Sequence, residues 1–199
     1  MKCFIVVITI SLFIAIVSGS VFHELGHGLT AAAVGGDFSV LGIWPGVQIY
    51  PEISFDNMHI FVLGYADIQN VELNWKIGLV HLMGSGTTAI IAYCLVGLVS
   101  LCKSKNTAIC VLIISVVYAW DIILYSILPQ IGLRHWFLIG GKVAEPFLGA
   151  QRIGIPNWLY FLCLGLHLLI YHSGFCLMYK KKVAMKKTER NCSVNSKGN

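Results

Sequence analysis

The chain has 199 residues, of which 57% are hydrophobic and only 12% charged, with a mean hydropathy of +0.77. Soluble domains usually carry about twice that charged fraction, so the composition excludes an ordinary soluble protein and predicts a multi-pass integral membrane protein in contact with the lipid bilayer. The net charge of +5 does not indicate nucleic-acid binding, because seven of the 14 Lys and Arg residues follow Tyr179 in one short tail.

Four segments are long and apolar enough to cross a membrane as helices, at residues 3–33, 75–102, 107–128 and 157–179. Gly, Pro and short alternating runs at 37–74 predict strands or a hairpin. A longer loop is predicted at 129–156, before the last span. The predicted fold class is an all-α membrane protein with about four transmembrane helices and a small β element after the first. We assign residues 1–180 to a single membrane-embedded domain. Residues 181–199 form a basic polar tail that we predict to be disordered, and the positive-inside rule places it in the cytoplasm.

The first span has a second interpretation as a cleaved signal peptide. Lys2 precedes an apolar run at 4–17, and small residues follow at 18–20. Cleavage there would leave His23 near a free amino terminus. We favour a spanning helix, because the apolar helical character continues through Val34.

The first span carries the pattern His-Glu-x-x-His at residues 23–27. Residues four apart share one face of a helix, so His23 and His27 can bind the same Zn²⁺ ion. Zinc lowers the pKa of a coordinated water towards ~7, and Glu24 is placed to accept the proton as the catalytic base. Ionisable groups inside a span are costly and usually functional. The alternative is a polar helix end at the membrane interface without a metal.

Catalytic zinc normally takes three protein ligands, and the sequence predicts Asp121 as the third. Asp121 lies eight residues before Pro129, and His27 lies eight residues before Gly35, on spans that run towards the same side. Their depths therefore match. A neutral, hydrogen-bonded carboxyl group is the alternative for Asp121. His81 lies at a similar depth in the second span, and we predict that it supports a ligand or binds substrate, with a ligand role as the alternative.

The motif and the residues that follow it through Gly36 resemble the first core helix of the site-2-protease family of intramembrane zinc metalloproteases, especially its short members. The resemblance covers roughly residues 10–130. It implies a strand-rich segment after the motif, a small-residue helix (here 82–86) and a later helix with an Asp ligand, here Asp121. The chain departs from the family pattern at Ile122, where a Gly usually follows the Asp, and no Asn-Pro pair precedes Asp121. This departure implies either a reassigned third ligand or an inactive member.

The resulting functional prediction is a zinc-dependent intramembrane endopeptidase that hydrolyses membrane-embedded or juxtamembrane protein substrates. Such a substrate helix must unwind locally, since a paired helical backbone hides its carbonyl groups. The β element could hold the unwound strand by edge addition. Two alternatives stay open. A zinc-binding membrane transporter or sensor explains the His and Asp residues but does not require Glu24, and a catalytically inactive protease-like scaffold explains the motif without cleavage.

Overall fold

The computed structural model describes residues 2–55, 62–137 and 140–195, and the side chains of those that lie between 5 and 180. The described helices are α1 (Lys2–Ala33), α2 (Trp75–Leu98), α3 (Lys105–Ile127), α4 (Glu145–Arg152) and α5 (Asn157–Asn195). The described strands are β1 (Asp37–Ile43), β2 (Val47–Tyr50), β3 (Ser54–Phe55) and β4 (Gly64–Gln69). Short 3₁₀ turns extend α2 through Leu101 and α3 through Ile131.

Four of these helices are long and apolar enough to cross a membrane. The candidate spans are Ile5–Ala33, Trp75–Leu101, Lys105–Ile131 and Asn157–Lys180, each within a few residues of its predicted bounds. Large apolar side chains cover their outer faces, among them Phe13, Ile90 and Leu169 at 67%, 57% and 65% exposure. An apolar surface of this extent is compatible with contact to lipid and is unusual for a soluble monomer.

The segment after α1 folds into an antiparallel sheet with the strand order β3–β2–β1–β4. Strands at 47–50 and 54–55 agree with the alternating runs in the sequence, and β1 and β4 complete the sheet. The sheet packs against α1 at Gly28, where an added Cβ would lie under 3.0 Å from the Phe38 ring. Among the described strands β4 pairs only with β1, so it lies at the edge of the sheet.

Helix α4 lies in the connection 129–156, which the sequence analysis treats as a loop. Glu145 and Pro146 occupy its first turn, where an acidic residue and a proline both favour a helix start. Gly149 packs on α2, since a Cβ there would lie under 3.0 Å from the Leu82 backbone nitrogen and beside Gly78. The prediction of a loop was therefore wrong for residues 145–152.

Helix α5 continues without a break through Asn195. The described backbone of the basic tail, residues 181–195, therefore continues the last span as a helix. The residues after Tyr179 include Lys, Ala, Met and Glu, which have high helix propensity and allow a helix to propagate.

Candidate metal centre

The two histidines of the motif are held by hydrogen bonds at their Nδ1 atoms. His23 Nδ1 lies 2.8 Å from Oδ2 of Asp121, and His27 Nδ1 lies 2.7 Å from the carbonyl oxygen of Val80. A carbonyl oxygen and a carboxylate accept hydrogen bonds, so Nδ1 of each neutral ring carries the proton. In such a ring Nε2 is unprotonated and has a free lone pair.

Three potential ligand atoms converge at this place: the two Nε2 atoms and a carboxylate oxygen of Glu145. The Nε2 atoms of His23 and His27 are 3.1 Å apart, and Oε2 of Glu145 lies 3.9 Å from the first and 3.4 Å from the second. His23 and His27 are 2% and 7% exposed, so water screens this arrangement little. Two lone pairs and a carboxylate repel one another at these distances unless a proton or a cation lies between them. His23, His27 and Glu145 thus form a possible metal-binding triad.

The geometry of this triad fits a zinc ion. Two ligand atoms that each lie about 2.0–2.1 Å from a tetrahedral zinc are ~3.3 Å apart. The two separations from His27 Nε2 are close to this value at 3.1 and 3.4 Å, and the separation between His23 Nε2 and Glu145 Oε2 is longer at 3.9 Å. Two imidazoles and one carboxylate form a donor set that catalytic zinc commonly uses, with the fourth position left for water or substrate. The side chains present therefore fit the cofactor that the motif predicts.

The predicted third ligand, Asp121, lies beside the triad but outside it. Its Oδ2 atom faces the Nδ1 atom of His23, on the side of the ring away from Glu145, and also lies 2.8 Å from the hydroxyl of Thr88. His27 in α1 and Asp121 in α3 were predicted to lie at the same depth, and the packed helices indeed bring Asp121 next to His23. Its contact, however, orients the imidazole, whereas Glu145 occupies the position that a third ligand needs. A carboxylate behind a ligating imidazole fixes its tautomer and raises its basicity.

Glu145 was missed as a candidate ligand, because it lies 118 residues after His27 in a connection outside the predicted spans. Burial acts to raise the pKa of its carboxyl group, but a positive charge at the His23 and His27 rings, supplied by a proton in the metal-free site, holds this pKa well below the usual range. A cation bound between the three groups would favour the ionised carboxylate in the same way. Two features of the sequence could have indicated a structured element here. One is the Glu-Pro pair, which favours a helix start, and the other is the length of the connection, which is too long to lack structure.

Small residues of α2 let the site approach the helix backbone. A Cβ at Gly84 would lie under 3.0 Å from Nε2 of both His23 and His27. Across the same interface, a Cβ at Gly26 would lie under 3.0 Å from the side chain of Thr87. The small residues of α2 from Gly84 onwards thus allow close packing of α1 on α2.

We expect Gly84→Ala to destabilise the metal centre. The added methyl group would overlap two imidazoles whose Nδ1 hydrogen bonds limit their movement, and such overpacking typically costs about 1–3 kcal/mol. Zinc affinity and the thermal unfolding temperature in detergent should both fall. Gly97→Ala in the same helix is the control, because nothing lies within 4 Å of the added Cβ. Equal behaviour of the two variants would contradict the packing described here.

An open cleft of about 550 Å³ leads to the triad. Residues 62–68, which include the start of β4, line one wall, and Val80 and His81 of α2 line another. Glu24 lines the cleft beside His27 and Glu145. A Cβ at Gly64 would lie under 3.0 Å from Cγ and Oε1 of Glu24, so the absence of a side chain at Gly64 makes room for that carboxylate. The predicted base therefore shares a cleft with the predicted ligand His27 and with Glu145.

An aromatic stack covers the other side of the site. Tyr125 lies one helical turn after Asp121, and its ring centroid is 4.3 Å from that of His23 and 3.7 Å from that of His135. His135 is 3% exposed, and its Nε2 lies 2.7 Å from the carbonyl oxygen of Val143. This stack connects the segment before α4 to the candidate metal centre.

The chain matches no protein-family model, no curated protein and no solved structure in the comparisons made. The resemblance to the site-2-protease family therefore depends on the motif residues themselves. The placement of Glu24, His27 and Glu145 in one cleft, with His23 in contact with His27, is a property of this structure, and it carries the proposal that follows.

Proposed function

We propose that the chain is a zinc-dependent intramembrane endopeptidase of the site-2-protease type, which hydrolyses peptide bonds of membrane-embedded or juxtamembrane protein substrates. The observation that carries this proposal is the convergence of the Nε2 atoms of His23 and His27 with a carboxylate oxygen of Glu145, beside Glu24 in an open cleft. A zinc-binding transporter would need the ligands, but it would not need an additional carboxylate facing the same cleft.

The proposed ligands are His23, His27 and Glu145, with Asp121 as the group that orients His23. When bound, the zinc ion would polarise the scissile carbonyl group and acidify a coordinated water. Glu24 accepts a proton from the attacking water and passes it to the amide nitrogen as the C–N bond breaks. The water oxygen stays on the acyl carbon, so the products are a carboxylate and an amine.

The depth of the site supports a substrate at or within the membrane. His27 precedes the end of α1 at Ala33 by six residues, and His81 follows the start of α2 by six, which places both ~9 Å inside their helix ends. The sheet lies after α1 at the same end, and β4 lines the cleft as an edge strand among the described strands. An unwound substrate segment could pair with such an edge through its main chain.

Removal and return of the metal test the proposal. Purified full-length protein in detergent is expected to contain about one zinc ion per chain and to cleave fluorescein-labelled β-casein, an unfolded protein that exposes extended peptide. A strong chelator should abolish both zinc content and cleavage, and added zinc should restore both.

The outcomes separate the three functional classes. Zinc binding without cleavage of casein or of a reconstituted single-span membrane protein would indicate an inactive scaffold. Zinc movement into proteoliposomes that contain the protein would indicate a transporter. Cleavage that survives complete removal of metal would contradict a metalloprotease.

A further inference from the structure

His81 lies on the face of α2 that looks towards the metal centre. Its neighbour Val80 accepts the hydrogen bond of His27, and Gly84, three residues later, lies against the Nε2 atoms of the triad. Residues three apart share one side of a helix. Helix α4 also packs close to His81, since a Cβ at Gly149 would lie 3.1 Å from Cβ of His81. Gly149 follows Glu145 by four residues, which puts both on the side of α4 that faces α2.

The hydrogen bonding of His81 is incomplete. Its Nδ1 atom is buried and has no partner among the described residues, although the residue itself lines the cleft. A neutral imidazole carries one proton, and a buried N–H without an acceptor is rare in folded proteins. The proton of neutral His81 therefore belongs on Nε2, since Nδ1 has no acceptor among the described residues. This leaves an N–H donor for a group that enters the cleft.

The other histidine near the cleft cannot supply this donor. Nε2 of His135 lies 2.7 Å from the carbonyl oxygen of Val143, so its proton is already used within the protein. Burial lowers the pKa of His135, which keeps the ring neutral and leaves it no second N–H. His23 and His27 donate from Nδ1 to Asp121 and Val80. Among the described histidines that line the cleft or hold the triad, His81 alone retains an N–H without an acceptor.

We propose that His81 is a catalytic residue whose Nε2–H hydrogen-bonds the oxygen of the scissile carbonyl group and stabilises the negative charge that develops on it. This role rests on the proposed endopeptidase function. No bond of His81 breaks, and its proton stays on Nε2 throughout. A donor placed before the reaction begins favours the transition state over the ground state, because the oxygen becomes charged only as the water attacks. The residue therefore acts on turnover more than on substrate binding.

Kinetics of His81→Ala and His81→Gln in the full-length, zinc-loaded protein test this role. With fluorescein-labelled β-casein, we expect His81→Ala to lower kcat by about 100-fold, with KM nearly unchanged. Zinc content should stay at the wild-type level, since His81 lies outside the triad. His81→Gln carries an amide N–H and should recover part of the loss. His172→Gln is the control, because His172 lies on α5 and its Nδ1 is 2.9 Å from the Leu168 carbonyl oxygen.

Binding of a phosphinic peptide gives a readout that needs no turnover. Its tetrahedral, charged phosphorus group resembles the transition state, so His81→Ala should weaken its binding by about as much as it lowers kcat. Unchanged kcat and unchanged phosphinic-peptide affinity would overturn the role of His81 and leave the endopeptidase proposal intact. The same loss in Tyr125→Phe, with none in His81→Ala, would assign the donor to Tyr125.

Failure of the proposed function gives a different pattern. A wild-type protein that binds zinc but neither cleaves casein nor binds the phosphinic peptide would overturn both proposals. Loss of zinc from both His81 variants, with α-helical content retained, would make His81 a support of the metal centre and would overturn its assignment as a donor to substrate.

Discussion

Glu24→Gln is expected to lower kcat for casein cleavage by about 10³- to 10⁴-fold, while the protein keeps its zinc. The amide has nearly the volume of the carboxylate, so it still fits beside Gly64, but it cannot accept a proton from the attacking water. Glu24 is not among the three residues whose ligand atoms converge, so metal content should be unaffected. The measurement pairs a cleavage assay with zinc analysis of the same preparation.

His23→Ala provides the contrasting variant, because it removes a ligand and should lose both zinc and activity. Glu72→Gln is the matched control. The exposed carboxylate of Glu72 accepts hydrogen bonds from Lys76 and Asn74 at the start of α2. Its replacement should leave zinc content and cleavage rate unchanged. A full rate of proteolysis in Glu24→Gln would show that another group acts as the base and that the mechanism proposed here is wrong.

Glu145→Ala is expected to remove most of the bound zinc, whereas Asp121→Asn should retain zinc with an affinity weakened by about 10- to 100-fold. The first variant deletes a carboxylate that lies 3.4 Å from His27 Nε2. The second leaves the three converging groups in place and weakens only the hydrogen bond that orients His23. Zinc titration against a competing chelator measures both affinities.

The contrast between these variants decides between two ligand assignments. The sequence analysis, guided by the site-2-protease resemblance, assigns the third ligand to Asp121, and the geometry favours Glu145. Zinc lost from Asp121→Asn and kept in Glu145→Ala would restore the first assignment. Glu72→Ala removes a carboxylate outside the cleft and should bind zinc like the wild type.

The metal also has a structural consequence if Glu145 is a ligand. Glu145 begins α4, whereas His23 and His27 belong to α1. A shared ion would therefore tie the segment between α3 and α5 to the first span, and metal binding would stabilise their contact. The stack of His135 on Tyr125 joins the same connection to α3, and Tyr125 in turn contacts His23 of α1. The cleft is therefore assembled from segments that are distant in the chain.

Hydropathy and motif spacing were sufficient for the four candidate spans and for two of the three residues of the possible metal-binding triad. Whether a segment crosses a membrane depends on its own apolar length, which is a local property of the chain. The placement of His23 and His27 on one helix face is local too, because four residues make about one turn. The depth argument extended this to Asp121, since two helices that run the same way bring residues at equal distances from their ends to the same level.

The tertiary structure alone decided which atoms meet. Depth places Asp121 near the motif, but only the packed helices show that it contacts Nδ1 of His23, on the far side of the ring from the converging ligands. Glu145 and His135 come from a connection without strong periodicity, and their positions depend on how α4 packs against Gly78 of α2. Contacts between segments far apart in the chain depend on the packing of whole elements, and no local pattern in this sequence encodes them.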